Sequence, residues 1–374
     1  MKVLIAPDSF KESLTAPQVA QALKTGFAQA LPQAEFTLLP IGDGGEGTIA
    51  ALNANLQFTA KSAKVTGPFG DQVQMPYWQK GQQVMFEMAD LVGLADIPFE
   101  KRDPLMIQTR GIGELLVQLA EAGIKEVFVG VGGSASHDAG IGLAAGLGYR
   151  FLDQKGQELP ALGQSLGKVH QVLDNQVPAS LANLKVTVLT DVTNPLCGPE
   201  GAAYIFAGQK GLPKDRFASV DQATAHFYKL INPNIIQQER AGAGGGMAAG
   251  LATFLSGQLV SGIDRSLDLL DFDNLVQDVD LVVVGEGRLD RQSLAGKTPI
   301  GIARRVPAGI PVLAICGSFA DDLPDFPVEN IQAAFSILHK ISDVQTAMAG
   351  TEQNLITSAA HIGRLLSLHL ERKL

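Results

Sequence analysis

The sequence predicts an α/β protein: a doubly wound parallel-sheet domain with a second α/β domain inserted into it. Three observations predict this. The first 55 or so residues alternate strand and helix patterns. The same alternation returns after residue 280. The middle opens instead with short β-rich runs broken by Gly and Pro. The expected domains are 1–62 plus 280–374 for the host and 63–279 for the insert. A length of 374 residues suits two domains.

Taken in order, residues 3–6 are a strand. A helix follows over 16–30, because Val19, Ala22, Leu23 and Phe27 recur at helical spacing. Ser13 or Thr15 caps it, and Pro17 suits its first turn. A strand over 36–41 runs into a glycine cluster, and a helix starts near Thr48. Residues 61–89 carry Gly67, Pro68, Gly70, Pro76 and Gly81 between β-rich runs, which predicts an antiparallel or mixed segment. A helix over 109–122 leads to a strand over 125–131, and another strand covers 186–190. The Gly-rich run 241–250 opens a further helix. Beyond 280 the reading is strand 280–287, helix 299–306, strands 311–318 and 333–338, and a closing amphipathic helix over 351–370.

Composition narrows the function classes. Hydrophobic residues make up 46% and charged residues 18%, enough apolar surface for a large core and too much for a disordered chain. The net charge of −9 disfavours nucleic acid or an anionic membrane as partner. A small anion is still bindable through a few local cations and backbone N–H groups. Two cysteines, Cys197 and Cys316, are too few for a disulfide framework and read as free buried thiols. The start reads as a strand rather than a signal peptide, and no apolar run reaches the ~18 residues of a spanning helix. A soluble, cytoplasmic protein is expected.

The chemistry gathers where glycine clusters follow apolar strands. Ligands of parallel sheets bind outside the carboxyl ends of the strands, where glycine lets backbone N–H groups approach an anion. The first cluster is Gly42-Asp43-Gly44-Gly45-Glu46-Gly47, a phosphate or Mg²⁺ site with Asp43 or Glu46 on the metal. The alternative is a plain helix entry capped by Asp43. The second runs from Gly132 to Gly140. Gly132, Gly133 and Ser134 offer consecutive donors to a phosphate or carboxylate, and Asp138 is a metal or hydroxyl contact. His137 in that loop reads as structural. The third is Asp191, just past a central strand, where it can accept a proton from a substrate hydroxyl or bind Mg²⁺; an Asx turn with Asn194-Pro195 is the bland reading. Downstream, Lys210 supplies a cation. The fourth is Gly285-Glu286-Gly287, followed by Gly296-Lys297-Thr298. This GKT is not a P-loop, since Arg291 stands where that motif needs glycine. Lys297 still offers a point charge to a phosphate. Ser9 and Lys11 follow the first strand at the same sheet edge as Asp43 and are candidates for holding an anionic substrate.

No His/Cys metal cluster, nucleophile elbow, HExxH or dinucleotide fingerprint is present. Glycine anion loops, scattered acids and a few lysines offer positioning and charge neutralisation, which is what phosphoryl transfer asks of a protein.

The runs at 6–16, 42–48, 132–142, 190–198, 206–211 and 285–303 resemble, in order, the motifs of the bacterial type I glycerate kinases. The departures are small: Glu12 where the family often has Gly, Ser136 and His137 in the family's GGSAT-N-D run, and Ala248 where Gly is common. The resemblance implies a flavodoxin-like domain with a second α/β domain and an active site between them. It also implies ATP-dependent phosphorylation of D-glycerate on the 2-hydroxyl, the 3-hydroxyl or a related hydroxy acid being the alternatives.

On this reading Gly44, Gly45, Gly132, Gly133, Gly285 and Lys297 hold the nucleotide, and Asp43, Glu46 and Glu286 are candidate Mg²⁺ contacts. Ser9, Ser134, Asp138 and Lys210 hold the substrate. Asp191 and Lys11 act on the reacting groups. Rivals from other classes are a nicotinamide-dependent 2-hydroxy-acid dehydrogenase and a two-lobed binding module. A homodimer is left open.

Overall fold

The structure, a computed structural model, describes residues 1–42, 44–45, 47–294 and 296–370. The chain divides into two compact units. One comprises Met1–Asp43, Gly47–Gln57 and Ile263–Leu374; the other comprises Gly44–Glu46 and Phe58–Gly262. The chain thus re-enters the first unit at Ile263, seventeen residues before the expected 280. Helix Gly262–Leu269 is tied there by Arg305, which donates to the Asp264 carbonyl at 3.2 Å and to the Asp268 carboxylate at 2.7 Å.

The first unit is built on five parallel strands in the spatial order Ile331–Ser336, Val312–Cys316, Leu281–Gly285, Lys2–Pro7 and Glu35–Leu38. In chain order that is 5-4-3-1-2, the flavodoxin-type arrangement. The central pair runs in register Val3↔Leu281 to Pro7↔Gly285. Both strands are apolar and buried nearly throughout, as a sheet covered on both faces requires. Helix Ala16–Ala30 starts at Thr15 with a capping box to Gln18 and packs on helix Thr351–Leu370, burying Val19, Leu23 and Phe27 with Leu355 and Ala359. The strand order reverses between Lys2–Pro7 and Leu281–Gly285, so the loops after these two strands open at the switch point of the sheet.

The second unit carries a six-stranded mixed sheet: Gln258–Val260, Lys185–Leu189, Glu126–Gly130, Gln83–Glu87, Gln72–Lys80 and Thr59–Thr66. The first four run parallel. The last two join antiparallel as a hairpin, which accounts for the Gly- and Pro-punctuated texture of that stretch. Helix Arg110–Glu121 presents Ile112, Leu115, Leu116 and Leu119 to the sheet's core beside Val127, Val129, Val186 and Val188. Cys197 and Cys316 are free and buried, and burial pushes the Cys197 thiol up to about 12. No helix among the described residues is long and apolar enough to cross a membrane.

Candidate functional site

Each unit assembles its own cluster of the expected residues. In the first unit the cluster sits on the two switch-point loops. Asp8 is fixed by donating its N–H to the Gly285 carbonyl at 2.8 Å. Its carboxylate accepts from Thr298 Oγ1 at 2.7 Å and from the Ser9 N–H at 2.6 Å. The Ser9 amide is thereby turned toward Asp8. Lys11 is exposed on the following turn, with its backbone against Gly287. Glu12 holds φ at +62°, a conformation glycine adopts freely, which explains the glycine common there in the resembling family. Gly285 is required by the sheet itself: a Cβ there would lie 2.4 Å from the Ile315 carbonyl oxygen. Lys297 stands at the N-cap of helix Thr298–Arg305, so the GKT run does open a helix although it is no P-loop.

Glu286 is a strongly perturbed acid of this cluster. It is 9% exposed, and its Oε1 has no hydrogen-bond partner among the described residues. Burial pushes its carboxyl up to about 7; Ser293 and Lys297 pull it down, while Asp8 and Asp290 push it further up. The folded state therefore holds a proton that the unfolded chain releases between about pH 4.5 and 7. Stability from this group is complete below that range and is lost as pH rises through it. Glu286→Gln should flatten that loss, worth up to about 3 kcal/mol at 1.36 kcal/mol per pKa unit. Urea unfolding of both proteins at pH 4.5 and 7.5, without nucleotide or metal, checks it; equal pH dependence would refute it. Asp43 and Glu46 lie outside the described residues.

In the second unit three of the four glycine clusters meet. A Cβ on Gly132 would come 2.7 Å from Gly45 Cα, and one on Gly44 would come 3.0 Å from Thr190 Cα. The loops following strands Glu126–Gly130 and Lys185–Leu189 therefore lie backbone to backbone with residues 44–45. The N–H groups of Gly132 and Gly133 make no hydrogen bond among the described residues. Asp191, half-buried, is held by the Gly262 N–H at 3.0 Å and the Ser261 hydroxyl at 3.2 Å, both on Oδ1. These bonds reach seventy residues along the chain. They pin the carboxylate at the end of a central strand.

Behind this surface lies a buried polar network. Asp138 accepts from Thr109 Oγ1 at 2.7 Å and from the Gly140 and Gly142 N–H groups at 3.0 and 3.2 Å. Burial raises its carboxyl above the usual range, against those bonds and the nearby Lys210 cation. Thr109 Oγ1 in turn accepts from the Leu143 N–H at 2.9 Å. The Lys210 ammonium donates to Ser134 Oγ at 2.9 Å and to the Ser136 carbonyl at 2.8 Å. His137 is buried and held neutral; burial first, then Lys210, lower it to about 3. That agrees with its reading as structural. Ala248 lies buried within helix Met247–Leu255, where alanine suits the helix better than glycine.

Sequence reasoning missed Thr109, Asp8 and Thr298 as members of these clusters. Asp8 and Thr298 stood inside quoted motifs, but their pairing spans 290 residues. Thr109 carries no local motif. Among the described residues no group of three or more His, Cys, Asp or Glu is arranged to hold a metal. Mg²⁺ characteristically takes only one or two protein carboxylates and completes its shell with phosphates and water. Glu286, an oxygen donor with an unmatched Oε1, fits such a cation.

The sequence model of the Glycerate kinase family matches residues 3–367. A glycerate kinase of Neisseria meningitidis serogroup B is 54% identical over 368 residues, covering 98% of this chain and 99% of its own length. A glycerate 2-kinase of Escherichia coli K12 is 38% identical over 375 residues, covering 98% of each chain. A crystal structure from Salmonella typhimurium LT2, described as a candidate glycerate kinase 2, superposes with a TM-score of 0.85 at 34% identity over 100% of both chains. With the motifs in order, the flavodoxin-type sheet and this similarity along nearly its whole length, the chain is an enzyme that belongs to the glycerate kinase family.

Proposed function

We propose that the enzyme transfers the γ-phosphoryl group of ATP to the 2-hydroxyl of D-glycerate, giving 2-phosphoglycerate and ADP. The observation that carries phosphoryl transfer is the meeting of loops 44–45, 132–133 and 190–191, where Gly132 lies against Gly45 and Gly44 against Thr190, while the next residue, Asp191, is held by the Gly262 N–H. The 2-position rests on the Escherichia coli relative, named a glycerate 2-kinase.

In this mechanism Asp191 orients the attacking hydroxyl and accepts its proton as the O–P bond forms. The Gly262 N–H and the Ser261 hydroxyl, both donating to Oδ1, hold the carboxylate in place. The Gly132 and Gly133 N–H groups receive an anionic oxygen without reorganising, which is where a rigid donor helps most. Lys11, which is exposed, and Lys297, at the N-cap of helix Thr298–Arg305, are the candidate cations of the first unit's own cluster, with Ser9 two residues before Lys11. Glu286, with Asp43 and Glu46 as the further candidates, would hold Mg²⁺, which when bound neutralises phosphate charge.

The test is product analysis by ³¹P NMR after incubation with D-glycerate and Mg-ATP. The expected product is 2-phosphoglycerate with stoichiometric ADP. 3-Phosphoglycerate as the sole product would overturn the regiochemistry, and no ADP formation would overturn the reaction.

A further inference from the structure

Lys210 was expected to meet substrate, yet it is 3% exposed and its hydrogen bonds run to its own fold. Its ammonium sits where three segments converge: loop 132–138, the turn Gly208–Lys210 and the glycine run 243–246. Gly245 closes this point. Its φ is +68°, and a Cβ there would lie 2.3 Å from the Ser136 carbonyl oxygen and 3.2 Å from Lys210 Nζ. No larger residue fits, so the cation is locked against the loop.

Burying a lysine this deeply is costly. Its pKa falls to about 7 despite the nearby Asp138. A hydrophobic side chain of the same length would fill the space without that cost. What a hydrophobe lacks is an effect on Ser134. That hydroxyl is buried and accepts from the ammonium, so its own O–H is the donor left for another group. An oxygen that accepts from a cation is also a stronger donor.

We propose that Lys210 is a positioning residue for substrate recognition: by donating to Ser134 Oγ and the Ser136 carbonyl it sets loop 132–136 and aims the Ser134 O–H at the carboxylate of D-glycerate. This rests on the proposed glycerate kinase activity and assigns recognition of the substrate's carboxylate to Ser134. Lys210 does not touch substrate.

The experiment is a double-mutant cycle on KM. Wild type, Lys210→Met, Ser134→Ala and the double variant are assayed with D-glycerate and Mg-ATP. Wild-type turnover is the control on which the activity itself stands or falls. The expected result is a KM for D-glycerate raised about ten- to a hundredfold in each single variant, the range of one charge-assisted hydrogen bond. The KM for ATP should stay within a few-fold. The double variant should be no worse than the worse single one, because both remove the same contact. Active wild type with an unchanged glycerate KM in Ser134→Ala overturns the proposal, and so does full additivity of the two changes. If Lys210→Met does not fold, Ser134→Ala alone decides: a raised glycerate KM with an unchanged ATP KM supports it, and equal shifts in both refute it.

Discussion

Asp191→Asn is expected to lower kcat by about 10²-fold or more with the fold intact, the worth of a positioned general base. The substitution is conservative where structure is concerned. Oδ1 remains an acceptor for the Gly262 N–H and the Ser261 hydroxyl, so strand Lys185–Leu189 and residues 261–262 keep their tie. What is lost is the negative charge and the capacity to take a proton. A residue acting on the attacking hydroxyl changes kcat and kcat/KM together, whereas a mere binding contact changes KM alone. Steady-state kinetics, with thermal unfolding as the check on the fold, separate the cases. A kcat within a few-fold of wild type would remove Asp191 from the chemistry.

Asp138→Ala is expected to destabilise the protein by about 3–5 kcal/mol, the usual result of breaking a buried charged network from one side. Three donors lose their acceptor at once: Thr109 Oγ1 and the Gly140 and Gly142 N–H groups. The buried Lys210 ammonium also loses its nearby carboxyl. Thr109 would be stranded between the emptied site and the Leu143 N–H it still accepts. At roughly 2–4 °C per kcal/mol for a domain of this size, the midpoint should fall by roughly 10 °C. Asp138→Asn keeps one acceptor oxygen and should cost less, about 1–3 kcal/mol. Denaturant unfolding of the two variants tests this. A loss below about 1 kcal/mol for the alanine variant would mean the network contributes little.

Much of the fold is legible in the sequence because parallel strands buried on both faces read as unbroken apolar runs. Residues 3–6 and 281–284 are of this kind, and each is followed by a glycine- or Asp-bearing loop that carries candidate site residues. Helices 16–30 and 351–370 were legible from spacing and capping. The second unit boundary was not. Helix Gly262–Leu269 is acidic and amphipathic, and its allegiance is decided by Arg305, some forty residues on. The clusters were half legible. Glycine runs read as backbone open to a ligand, so loops 44–45, 132–134 and 190–191 could be named from the sequence. Their mutual contact was not, since nothing local encodes Gly132 against Gly45. The network behind them was hidden for the same reason: Lys210 meets Ser134 across 76 residues, and Thr109 meets Asp138 across 29. Lys210 reads in the sequence as a cation for an anion, but burial, which no motif displays, turns its hydrogen bonds to its own fold.

The central strand pair of the first unit, Val3↔Leu281, has a bearing on how the molecule is made. During synthesis the amino-terminal strands Lys2–Pro7 and Glu35–Leu38 emerge long before their neighbours Leu281–Gly285, Val312–Cys316 and Ile331–Ser336. Two short strands do not make a stable sheet alone. The second unit, by contrast, has all its strands in place by Val260. The nascent chain thus carries an unfinished amino-terminal segment while its inserted partner completes itself, since domains generally fold as units as they emerge. That early compaction shortens the tether the first strand must span to reach its late partner, and the loop-closure cost grows with the length of flexible chain left to close.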